Sequence, residues 1–201
     1  MASAGNGFSL FLKRDGTVTF RGNAGNTWKE VTETIPTFEE GQTCTQIAAG
    51  GAHSLLLMND GQVLAFGYNT EGQCQVPDKA DLQWLGLYYT QVDAGGFHSL
   101  LRRNDGIVDA GGCNSSGQCE IPYFEGDQVA YYTQVAAGGR HSLLLKRDGT
   151  ITACGMNSDG RCDIPALPPG LRYTQVSASS GLLGVNPWKV LVIHLVVFSN
   201  H

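Results

Sequence analysis

The chain of 201 residues carries 18 acidic and 13 basic side chains, a formal net charge of −5, and 27 glycines. An acidic balance with scattered Lys and Arg excludes a surface built to neutralise phosphates, so no nucleic acid is expected as a direct partner. The apolar run 190–198 is too short to cross a bilayer as a helix, and residues 8–12 are too short for the core of a secretory signal and precede a Lys-Arg pair, so no membrane partner is expected. A cytoplasmic location, with the nucleus as alternative, is the expectation.

From the N-terminus the chain repeats itself. Residues 4–16 read AGNGFSLFLKRDG, 49–61 read AGGAHSLLLMNDG, 94–106 read AGGFHSLLRRNDG, and 136–150 read AAGGRHSLLLKRDGT. The Asp-Gly pairs, Asp15-Gly16, Asp60-Gly61, Asp105-Gly106 and Asp148-Gly149, recur after 45, 45 and 43 residues. Thr45-Gln46-Ile47, Thr90-Gln91-Val92, Thr133-Gln134-Val135 and Thr174-Gln175-Val176 form a second column, spaced by 45, 43 and 41 residues. Periods in this range belong to arrays and propellers, in which each unit buries its apolar face only against a neighbour.

Each unit predicts the same elements in the same order. A strand comes first, residues 133–138 in the clearest copy, shrinking toward Ala-Ala-Gly-Gly where neighbouring sheets crowd around an axis. A Leu-rich strand follows and ends at Asp-Gly, beyond which Val18 and Phe20, Val63 and Ala65, Val108 and Ala110, or Ile151 and Ala153 alternate at period two. Asp-Gly between such runs predicts a hairpin with a two-residue type I′ turn, positive φ at both positions. The links 67–77, 112–122 and 155–165 are turn-rich and end in Pro. Their Asn69, Asn114 and Asn157 are expected to adopt left-handed φ and bond local backbone.

The pattern small-Gly-Gly-x-His-Ser-Leu, then Asp-Gly-x-Val-x-Ala-x-Gly-x-Asn-x-x-Gly-Gln, then Pro, resembles the repeat of the regulator of chromosome condensation family. Its Gly-Gln-x-x-x-Pro links are similar to a compact branch that includes a bacterial β-lactamase inhibitor. The resemblance implies an all-β seven-bladed propeller fold, which hosts exchange factors, photoreceptors, ligase-associated modules and inhibitors. The expected domain is a propeller over 1–181, in units of about 4–48, 49–93, 94–136 and 137–177, followed by a non-repeat apolar tail, 182–201. About four blades sweep roughly four sevenths of the family's circle. The outcomes to distinguish are an open arc, self-association through open blade edges, truncation of a longer propeller, or closure of a small one with residues 174–178 completing a blade that the N-terminal hairpin leaves short. The run 190–198 is also placed to pair with an open edge.

The chemistry-bearing residue types are read as scaffold. His53, His98 and His141 share one repeat position, so they stand a sheet spacing of about 10 Å apart, too far to share a metal. They are expected to bond backbone across a blade boundary. Adjacent His and Ser on a strand face opposite ways, which excludes a triad built from one His-Ser pair. Cys74, Cys119 and Cys162 form a column expected to hold small buried thiols, and Cys113 with Cys119 is the one pair near enough in sequence to consider bridging. No catalytic group, metal or cofactor is expected. Photoreception would place Trp before each repeat His, where this chain has Ala52, Phe97 and Arg140.

The functional expectation is a non-enzymatic protein-interaction module or scaffold, with regulation of a small GTPase and a purely structural fragment as alternatives. A protein partner of unknown identity would meet the variable positions Phe97 and Arg140 and the aromatic-rich links at Trp84, Tyr88, Tyr123 and Phe124.

Overall fold

The computed structural model describes residues 1–22, 35–77, 79–122, 131–179 and 195–197. Four antiparallel sheets of three strands follow one another. They comprise β1 Ala2–Ala4, β2 Phe8–Leu12 and β3 Val18–Gly22; β4 Cys44–Ala49, β5 His53–Met58 and β6 Val63–Gly67; β7 Tyr89–Ala94, β8 His98–Arg103 and β9 Val108–Gly112; and β10 Tyr132–Ala137, β11 His141–Lys146 and β12 Ile151–Gly155. A single turn of helix, α1 Lys79–Gln83, lies between the second and third sheets, and β13 Leu171–Tyr173 pairs with β14 Leu195–Val197. Each sheet packs on the next, β2 on β4, β5 on β7 and β8 on β10, in an open propeller arc.

Alternation along the central strands makes this stacking work. Leu55 and Leu57 face the third sheet, where they meet Val92, Ala94 and Leu101. Leu56, beside its strand partner Ile47, faces the first, against Phe8 and Leu10. Both faces of β5 are therefore buried, which is why its sequence is an unbroken Leu run and not an apolar-polar alternation. The same division recurs between the third and fourth sheets, through Leu100, Val135 and Leu144.

The Asp-Gly hairpins differ from the type I′ expectation. No non-glycine residue among those described has positive φ, whereas Gly16, Gly61, Gly106 and Gly149 have φ of 78 to 82°. Gly61 N–H donates to the Met58 carbonyl at 3.0 Å, and Met58 N–H donates to the Gln62 carbonyl at 2.8 Å. The other three hairpins repeat both bonds. This is a three-residue loop, a type I turn followed by left-handed Gly in a bulge. Asp sits at the last position before Gly because its carboxylate accepts the N–H two residues on, from Thr17, Gln62, Ile107 and Thr150 at 2.8 to 3.1 Å.

The innermost strands also carry a bulge, between Cys44 and Gln46, Tyr89 and Gln91, and Tyr132 and Gln134. The intervening Thr45, Thr90 and Thr133 donate their hydroxyls to the carbonyls of Leu57, Arg102 and Leu145. The N-terminal hairpin is not left short: β1 pairs with β2 and supplies its third strand. Residues 174–179 form no strand. They nevertheless run along the fourth sheet, with Val176 N–H donating to the Gln134 side chain and Gly139 N–H to the Ser179 carbonyl. Part of the run 190–198 forms β14, which pairs with β13 in a separate two-stranded sheet and not with an open edge of one of the four sheets.

Successive sheets approach most closely at the Gly-Gly pairs. A Cβ on Gly51 would lie 2.3 Å from the Gly96 carbonyl oxygen, and one on Gly96 would lie 2.5 Å from that of Gly139. Gly96→Ala is expected to destabilise the fold by about 1–3 kcal/mol, because backbone cannot yield as a side chain can. In Gly111→Ala a Cβ meets nothing nearer than 3.6 Å, and its change is expected within about 0.5 kcal/mol. Urea unfolding of the two variants checks the contrast.

Candidate functional site

The repeat histidines bond across sheet boundaries, but their partner is a side chain and not the expected backbone. His53 Nε2 lies 2.9 Å from Ser99 Oγ, and His98 Nε2 lies 3.0 Å from Ser142 Oγ, each on the following sheet. The two serines donate their only hydroxyl proton to the carbonyls of Gln73 and Gln118, at 2.7 and 2.8 Å. The proton in the His–Ser contact must therefore come from Nε2, and Nδ1 is the bare nitrogen. It has no partner in His53, His98 or His141. Adjacent His and Ser thus serve opposite boundaries, as their alternation on the strand requires. His and Ser do meet, though between sheets, with the serine proton committed to a carbonyl and both groups sealed from solvent. The arrangement is a structural relay.

Its glycines are part of the relay. A Cβ on Gly50, Gly95 or Gly138 would fall within 2.5 Å of an atom of the His53, His98 or His141 ring. The first unit substitutes Phe8, which stacks on Phe20 with centroids 5.3 Å apart. Ser54, the serine a histidine there would have reached, has a buried hydroxyl with no partner among the described residues.

A second stitch lies in the Thr-Gln-Val column. The Gln46 amide donates to the Val92 carbonyl at 2.9 Å and accepts from Val92 N–H at 3.1 Å. Gln91 does the same to Val135, at 3.0 and 3.1 Å. Each amide imitates a strand residue and satisfies the exposed backbone of the next inner strand. The repetition of Thr-Gln marked the period in the sequence, but its role needs the neighbouring sheet.

Burial holds the His53 and His98 pKa values down at about 4. Half-buried Asp93, which accepts N–H bonds from Ala94 and Ala137, is pushed by desolvation up to about 6. The cysteines are free. Cys74, Cys119 and Cys162 are half-buried and not fully buried as expected, and their thiols point at the carbonyls of Tyr68, Cys113 and Met156 at 3.5 Å. Burial raises Cys74 and Cys119 to about 11, which keeps them protonated. The link asparagines accept the N–H five residues on, from Cys74, Cys119 and Cys162. Left-handed φ falls instead to Gly72, Gly117 and Gly160. Among the described residues no group of three or more His, Cys, Asp or Glu is placed to hold a metal, and no helix is long and apolar enough to cross a membrane.

The partner-binding candidates separate to opposite ends of the sheets. Phe97 and Arg140 are exposed at the Gly-Gly end, where Tyr68 meets Phe97 edge-on at 6.1 Å. Ala52, at the equivalent position, is buried. Trp84 and Tyr88 lie at the Asp-Gly end, about 20 Å away along a six-residue strand. There Tyr88 and Tyr131 lie over the turn glycines Gly61 and Gly106 of the preceding sheets. Tyr123 and Phe124 lie outside the described residues. Leu82, Leu87, Tyr88 and Tyr89, with Asp60 and Pro77, line an open cleft of about 260 Å³. Beside it Trp84 is 84% exposed, Leu85 61% and Tyr88 48%.

Comparison with known proteins bears on these units. Residues 44–73, 89–118 and 132–161 match the model of the regulator of chromosome condensation (RCC1) repeat. These three stretches are RCC1 repeats. Each match runs from the inner strand to the Gln or Arg after the link glycine, and the first two contain the Gln stitch, the His-Ser pair and the carbonyl that the next serine reaches. No curated protein sequence matches the chain significantly. Solved structures that resemble it include yeast Prp20 bound to Kap60 (TM-score 0.65, 22% identity, 87% of this chain and 51% of that one). Human WBSCR16 is similar at TM-score 0.62 and 24% identity, covering 78% and 49% of the two chains. The ectodomain of the moss (Physcomitrella patens) receptor kinase CR4 is similar at TM-score 0.63 and 19% identity, covering 88% and 45%. The chain spans about half the length of these relatives, and the likeness is one of fold.

The relay carries a pH signature. Folding favours neutral imidazole, so this stability is complete above the ordinary histidine pKa of 6.5 and is lost as pH falls through about 4. Asp93 acts with the opposite sign: its folded-state pKa is raised, so its contribution falls as pH rises from 3.8 through about 6. Two imidazoles outweigh one carboxylate, and urea midpoints are expected to drop between pH 7 and pH 4.5. Asp93→Ala installs the residue that Ala48 and Ala136 provide in neighbouring sheets, and the drop is expected to steepen.

Proposed function

We propose that this RCC1-repeat array is a non-enzymatic protein-interaction module that engages its partner through the Asp-Gly end, centred on Trp84 and Tyr88. One observation carries the reading: the apolar side chains Trp84, Leu85 and Tyr88 are exposed together beside a cleft whose floor is apolar, while the histidines, serines and thiols of the repeat are committed to structure. Large aromatic side chains beside a concavity are the residue types that dominate interface energetics. Tyr131 extends the surface to the next sheet, because it holds the same place over Gly106 as Tyr88 does over Gly61.

Small-GTPase regulation is the second reading. It draws on the likeness to yeast Prp20p, whose structure was described with its binding to Gsp1p and histones, although this chain covers 44% of that protein. A nucleotide-release assay over a panel of small GTPases tests it, and acceleration at micromolar protein would favour it over a purely binding role.

The test of the leading reading is comparative capture. Immobilised wild-type chain and the Trp84→Ala/Tyr88→Ala variant are exposed to the same extract, and proteins retained only by the wild type are titrated. Saturable binding weakened at least tenfold in the variant is expected, equivalent to about 1.4 kcal/mol. Identical retention by both proteins would remove this surface from the proposal. Both side chains are solvent-exposed, so folding is expected to be unaffected.

A further inference from the structure

One repeated place at the Asp-Gly end carries a side chain over the turn glycine of the preceding sheet: Thr43 over Gly16, Tyr88 over Gly61, Tyr131 over Gly106 and Arg172 over Gly149. The two middle places are aromatic, and Tyr88 and Tyr131 are 48% and 50% exposed. Packed sheets stand about 10 Å apart, so the array presents the two rings at that interval. A polyproline II segment turns once in three residues at about 3.1 Å each, about 9.3 Å per turn, and brings every third side chain to one face. Prolines three residues apart therefore fall on both rings. An α-helix is about 10–12 Å across and rises about 5.4 Å per turn, and a single turn of it exceeds the cleft of about 260 Å³ that Tyr88 lines.

The polar atoms of this surface suit such a backbone. Polyproline II makes no internal hydrogen bonds, so its carbonyls take donors from outside. The Trp84 indole N–H and the Tyr88 and Tyr131 hydroxyls have no partner among the described residues, and each is a donor on an exposed ring. Charge fixes what flanks the prolines. The Gln42 amide donates to the Asp60 carboxylate at the cleft and accepts Glu39 N–H, both at 3.0 Å. These bonds set exposed Glu39 and Glu40 near the Tyr88 end of the row, and Asp81 is exposed on α1. Residues 39–40, 60 and 77–89 together hold five acidic side chains and one basic, Lys79. At the other end of the row stands exposed Arg172. The row is thus acidic beyond Tyr88 and basic beyond Tyr131.

Resting on the assignment of the Asp-Gly end as the partner surface, we propose that its occupant is a proline-rich segment in the polyproline II conformation with basic residues at one end. Prolines three residues apart lie on Tyr88 and Tyr131, and the basic end points past Tyr88 toward Glu39, Glu40 and Asp81. Such a segment is already ordered before it binds, so it loses little conformational freedom on an exposed row of rings. Aromatic-lined grooves recognise proline-rich chains in this manner on unrelated folds. Attraction between exposed charges is screened by salt, whereas contact of proline with an aromatic ring is not.

The experiment titrates the 201-residue chain into a fluorescent peptide, Arg-Arg-Pro-Ala-Ala-Pro-Ala-Ala-Pro, and reads anisotropy. Saturable binding is expected, weakened at least about tenfold when glycine replaces each proline of the peptide. Tyr131→Ala is expected to weaken it at least about fivefold. Glu39→Lys/Glu40→Lys is expected to weaken it about threefold at low salt, with the difference closing as salt is raised. All three positions are exposed, so the variants are expected to fold, checked by circular dichroism. A wild type that does not bind the peptide, or binding that the glycine peptide and Tyr131→Ala leave unchanged, would overturn the proposal. Partner capture that depends on Trp84 and Tyr88, without peptide binding, would keep the surface and remove its proline-rich occupant. The absence of both would remove the surface as well.

Discussion

The approach of backbone to backbone at the Gly-Gly pairs governs the structure. Because Gly51 has no side chain, its N–H reaches the Gly95 carbonyl at 3.0 Å, and Gly96 N–H reaches that of Gly138 at 3.1 Å. That approach brings the inner strands near enough for a Gln amide to bridge them and for an imidazole to reach the serine of the next sheet. Each stitch answers a burial problem. Inner strands have unpaired backbone groups facing the neighbouring sheet, and hydroxyls and imidazoles buried there need partners. One repeat solves these problems only in the presence of the next, which is why stability in such an array is a property of neighbouring pairs.

Where the rule is broken, the cost is visible. Phe8 in place of His fills space and stacks well on Phe20, yet it cannot donate to Ser54 as His53 and His98 do to Ser99 and Ser142. Arg161 stands where Gln73 and Gln118 stand in the preceding links, and it pairs with Asp159, a charged pair at a position otherwise held by a neutral amide. The terminal sheets and links therefore depart from the interior ones in the features that depend on a neighbour.

The same geometry divides structure from surface. Between the sheets, the Nε2 groups of His53 and His98, the hydroxyls of Ser99 and Ser142 and the amides of Gln46 and Gln91 are engaged in the relay and the amide stitch. What varies between repeats is pushed to the two ends of the strands, where a side chain changes without disturbing a boundary. Phe97 and Arg140 take one end, Trp84, Tyr88 and Tyr131 the other. Both sets are variable in the sequence, and the length of a strand keeps them from acting as one surface.

Periodicity alone determined the number of units, the hairpins and the all-β class, because a repeated local pattern constrains every copy at once. It misplaced the turn type, since Asp-Gly satisfies either a two-residue or a three-residue loop, and only the bulged register of the strands selects between them. It left the partners of His53 and Gln46 unidentified, because these lie 46 residues away, on a different sheet and in a different copy. Tertiary structure decided those pairings and the separation of the two candidate surfaces. Each depends on how neighbouring sheets stand against one another, a distance that no window of the sequence contains.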